Sequence, residues 1–75
     1  MNTNKTTLGA QALRVHLMSN DMSVAAFAVA AGLSERSIHH WLSGAGAPRV
    51  KAAVAIEDAT SGAVPVRLWV REVRT

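Results

Sequence analysis

An all-α fold of five short helices is what these 75 residues predict, and three observations predict it. Apolar residues recur at intervals of three and four, as Leu13 and Leu17 or Ile38, Trp41 and Leu42 do, which gathers them on one face of a helix. Many of the hydrophobic residues are alanines, which favour helix and bury little area each, so closely approaching helices suit the chain better than a sheet. Helix punctuation recurs too: Ser23 and Ser34 are N-cap residues, and Gly32 and Gly44 are stops.

Residues 1–7 are polar and read as an N-terminal arm carrying Lys5. The first helix runs from about Leu8 to Ser19, capped by Thr6 or Thr7, with Leu13 and Leu17 turned inward and Arg14 outward. Asn20 and Asp21 make the turn, and Met22 enters the core just before the Ser23 cap. Phe27, Ala28 and Ala31 then recur on one face of the second helix. Gly32 ends it, because the sharp exit into the next helix needs a left-handed residue and glycine adopts that conformation without a Cβ clash.

Leu33 packs this turn, and Ser34 caps a third helix with Glu35 in its first turn, where a carboxylate suits the positive end of the helix dipole. Ile38, Trp41 and Leu42 supply its buried stripe. Two helices crossing steeply within so few residues need one contact with almost no side chain, and Ala28, four places before Gly32, provides it. The stretch from Ser23 to Gly44 therefore reads as a helix-turn-helix.

Ala45, Gly46 and Ala47 form a loop, and Pro48 starts the fourth helix, where its missing N–H is harmless. Val50, Ala53, Val54 and Ile56 cover the motif from the other side, and Ser61 and Gly62 stop the helix after Thr60. From Val64 onward the pattern fits a strand or a helix; Pro65 suits a first helical turn and breaks a sheet ladder, so a fifth helix is expected over 65–71, with 72–75 as a tail.

Seventy-five residues make one domain. With no cysteine there is neither a disulfide nor a thiolate ligand, which fits a reducing cytoplasm. The hydrophobic segments are too short and too interrupted to span a bilayer, and the first residues lack the apolar core of a signal peptide, so a soluble cytoplasmic protein without membrane association is expected. A formal charge of +3 favours an acidic partner, with nucleic acid foremost for so small a domain.

Metal, cofactor and enzyme readings find little support. His39 and His40 are adjacent, and neighbours on a helix point about 100° apart, so they do not easily share one ion. Ser37 and His40 are three residues apart, yet a serine hydrolase also needs an orienting acid and an oxyanion pocket, for which this chain has no room. The expectation is a non-enzymatic protein with no cofactor, no metal and no small-molecule substrate. Trp41 is assigned to the core, and Trp69 to the core edge or a dimer contact.

Phe27-Ala28, Ala31-Gly32-Leu33-Ser34, Ile38 and Trp41-Leu42-Ser43-Gly44, followed by the run from Ile56 to Val64, together resemble the phage Cro and YdaS-like, lambda-repressor-type helix-turn-helix domains. The resemblance covers residues 13–70, and the second run makes it more specific than a helix-turn-helix alone. It implies a compact five-helix DNA-binding domain over 8–71 that binds operator DNA as a homodimer and represses transcription, associated with the nucleoid. Two departures from that pattern imply weaker non-specific binding: Val24 stands where many relatives carry a phosphate-binding glutamine, and Ala45-Gly46-Ala47 replaces a stretch that is often basic. The competing expectation is an antitoxin-like or regulatory interaction module whose basic surface meets a protein partner.

In a helix-turn-helix the second helix enters the major groove. By resemblance the base-reading positions are Glu35, Arg36 and His39, with His40 as a further contact. Arg36 can bond both guanine acceptors, O6 and N7, whereas Glu35 either accepts from cytosine N4 or only caps the helix and orients Arg36. Phosphate contacts fall to Ser23, Ser34, Ser43, Arg49, Lys51 and the backbone N–H groups at the helix starts. Val66, Leu68, Trp69, Val70 and Val73 exceed what one short helix can bury, so Val66, Leu68, Trp69 and Val70 are the expected dimer interface.

Overall fold

The computed structural model describes residues 7–69. Within them the chain forms four α-helices, α1 (Leu8–Ser19), α2 (Val24–Ala31), α3 (Glu35–Leu42) and α4 (Val50–Ala59), followed by one 3-10 turn, Val66–Trp69. No strand occurs among the described residues, and no helix there is long and apolar enough to cross a membrane.

The caps explain the boundaries of the first three helices. Thr7, Ser23 and Ser34 all hold extended backbone, and each side-chain oxygen accepts from the N–H three residues on, at Ala10 (3.0 Å), Ala26 (3.0 Å) and Ser37 (3.1 Å). Gly32 adopts φ 73° and ψ 31°, and the Leu33 N–H folds back onto the Ala28 carbonyl at 2.9 Å, which closes α2 and aims the chain into α3.

One core joins these elements. Ala10, Leu13 and Leu17 of α1 meet Phe27 and Ala28 of α2, Ile38 and Leu42 of α3, Ala53 and Ile56 of α4, and Val64 and Trp69 beyond. Phe27, Leu13, Ile38, Ile56 and Val64 are its largest fully buried side chains. Phe27 also meets the edge of the His16 ring, with centroids 6.3 Å apart.

Thr60 supports the corner after α4. Its hydroxyl donates to the Ile56 carbonyl at 2.9 Å and accepts from the Val64 N–H at 3.1 Å, so a buried side chain satisfies the backbone on both sides of the turn. Ser61 and Gly62 carry the chain round at φ 55° and 88°.

The sequence expectations need correcting in three places. The fifth helix is a single 3-10 turn, tightened by the Leu68 N–H on the Pro65 carbonyl at 3.0 Å; the rest of the expected 65–71 helix, Val70 included, lies outside the described residues. Helix α4 starts at Val50 rather than Pro48, because proline's fixed φ suits extended chain as well as a first turn, and Arg49 is still extended at ψ 171°. Third, Trp41 is half-buried rather than fully in the core, and Val50 and Val54 face outward.

Candidate nucleic-acid interface

Helix α3 is the most two-sided of the described α-helices. Ile38 is 0% exposed and Leu42 is buried with it, whereas Glu35, Arg36, His39 and His40 all stand on the exposed side. The four side chains proposed to read bases are thus on one solvent-facing surface, anchored from behind by two core residues.

Two of them have internal neighbours. His39 Nε2 lies 3.4 Å from Glu35 Oε2, one turn away, and both side chains are more than half exposed. This pairing directs the Glu35 carboxylate along the helix. His40 rests on the following loop: a Cβ added at Gly46 would come within 2.8 Å of its Nε2, so glycine there lets the loop pass close beneath the imidazole.

The expected phosphate donors divide by what their hydrogens already do. Ser34 donates to Ser37 Oγ at 2.8 Å, and Ser43 donates to the His40 carbonyl at 2.7 Å, so neither hydroxyl is free to donate outward in this arrangement. Ser23 only accepts, from Ala26, leaving its O–H hydrogen for an outside acceptor. Through its bond to Ser34, Ser37 becomes the outer hydroxyl of the α3 start, a role the sequence did not suggest. Arg49 is the residue preceding α4 and makes no side-chain cap; Lys51 follows in its first turn, and both are exposed.

The residues expected at a dimer contact are also separated. Trp69 is 4% exposed and packs over Gly9 of α1, where an added Cβ would overlap the indole ring; the core-edge alternative is therefore the one its burial fits. Val66 and Leu68 remain half-buried. The exposed apolar side chains of this region belong to α1, with Leu8 and Val15 lining a groove beside Leu68. No protein-family model, curated protein or solved structure matches the chain.

Proposed function

We propose that this chain is a sequence-specific double-stranded-DNA-binding regulator of the Cro and YdaS-like, lambda-repressor type, acting as a repressor that occupies an operator as a dimer. The observation carrying the reading is α3 itself: an eight-residue helix starting three residues after the left-handed Gly32, with Ile38 and Leu42 buried and Glu35, Arg36, His39 and His40 exposed. Such a helix can enter the major groove while α2 crosses the phosphate backbone. Arg36 brings a planar fork of donors that matches guanine O6 and N7. Arg49 and Lys51 add charge without base preference.

A gel shift with DNA from the neighbouring promoter region, against unrelated duplex, tests the proposal. Arg36→Ala is expected to cost about 1–3 kcal/mol on the selected site and to relax preference at one base pair, while Lys51→Ala weakens all sequences alike and lowers the salt slope by about one unit. Normal site affinity in Arg36→Ala would move the reading face elsewhere.

Pairing of two copies supports useful specificity, since one reading head makes few contacts and half-sites about one helical turn apart are the usual solution. Leu8, Val15 and Leu68 offer apolar surface for it. Leu68→Glu should give a monomer by sedimentation on DNA and weaken site binding; an unchanged dimer would exclude this surface.

A protein-binding module is favoured by one separate observation. The outer face of α2 is Ala25, Ala26, Val29 and Ala30, with Val29 83% exposed and no charged side chain on the helix. A protein complex with little salt dependence, and no duplex complex, would support that reading instead.

A further inference from the structure

We infer that Arg14 of α1 is a phosphodiester-binding residue, seated in the cleft between α1, the start of α2 and the end of α3; the inference rests on the DNA-binding reading and extends its contact surface to α1. The cleft has a volume of about 320 Å³ and is lined by Arg14, Val24, His39, Leu42 and Ser43. It therefore opens beside His39, on the reading surface.

Two features of Arg14 suit it to an anion. Its Nη2 donates to the Leu42 carbonyl at 2.8 Å, across 28 residues of sequence, so the guanidinium is tethered to the last turn of α3. A guanidinium carries five N–H donors in a rigid fork, so that one bond leaves others for a planar, bidentate contact with phosphate oxygens. The tether also fixes the position of the charge relative to α3, which lowers the ordering cost of a contact.

The neighbouring groups leave this charge as the cleft's principal donor. Val24 offers no hydrogen bond, and the Ser43 hydroxyl donates to the His40 carbonyl. His39 is turned toward Glu35 at 3.4 Å. Asp21 lines the adjoining groove with Arg14 but forms no ion pair with it. Arg14 thus supplies from α1 the positive charge that Val24 cannot supply from α2.

The test is binding of the full chain to a mixed-sequence duplex of about 20 base pairs over a range of salt, because a phosphate contact acts on any sequence. Arg14→Gln keeps a polar N–H donor, on a shorter side chain, while removing the charge. It should lower the slope of log affinity against log salt by about 0.9 and weaken binding several-fold at low salt. Arg14→Lys, which keeps the charge, should retain the wild-type slope. A purely structural role would lower the melting temperature of Arg14→Gln and leave the slope unchanged, and that result overturns the inference.

Should the variants not fold, the Arg14 Nε–H resonance of the wild type decides: a shift on adding the duplex supports the contact, and no shift rejects it. Failure of the wild type to bind any duplex would instead reject the DNA-binding reading itself.

Discussion

Trp69→Ala is expected to cost about 3–5 kcal/mol, the range for emptying a large aromatic from a packed site, and so to remove most of the stability of a domain this small. The indole is 4% exposed and lies flush on Gly9, so its loss leaves a hole between the first helix and the last described turn. Gly9 makes the prediction sharper. In the wild type, Gly9→Ala should destabilise, because the new methyl overlaps the ring. With Trp69 already replaced by alanine, the same change should stabilise by about 1 kcal/mol, as alanine is the better helix former. Urea midpoints of the four proteins give the sign in each background. An unchanged midpoint in Trp69→Ala would place the ring outside the core and return it to a dimer contact.

Phe27→Ala should be comparably severe, at about 3–5 kcal/mol. Phe27 is 1% exposed, the largest fully buried side chain among the described residues, and carries α2 into the shared core beside the His16 ring of α1. Phe27→Leu keeps most of the volume and should cost much less. Circular dichroism melts test the order. Equal melting temperatures for the two variants would mean that the site collapses around the gap, leaving little cavity to penalise.

Much of this fold is local chemistry, and that part is legible in the sequence. Ser23, Gly32 and Ser34 act through hydrogen bonds and backbone conformation within a few residues, so their roles follow from their neighbours alone. The exposed row on α3 follows likewise, once Ile38 and Leu42 are turned inward. What escapes is contact at long separation. Nothing near Gly9 announces that it must be small; the reason is an indole sixty residues away. Arg14 reads as an outward charge until Leu42 is brought beside it, and the turn over Val66–Trp69 depends on where Trp69 is buried. For Ser34 and Ser43, residue type gives the capacity to donate, whereas only geometry tells where the hydrogen goes in the free chain.

Helices α2 and α3 have eight residues each, below the roughly 12–15 at which an isolated helix becomes even marginal in water. Neither can persist apart from the shared core, so the surface that carries Arg36 has no existence independent of global folding. A ligand on that surface sees only the folded population, and by mass action its occupancy lengthens the time every buried amide stays protected, including those far from the contact. Conversely, any substitution that lowers core stability reduces the fraction of copies able to read, without touching a reading residue. Abundance in the cell and occupancy of a target are thereby governed by one equilibrium, and a proteolytic cut in the open state removes both together.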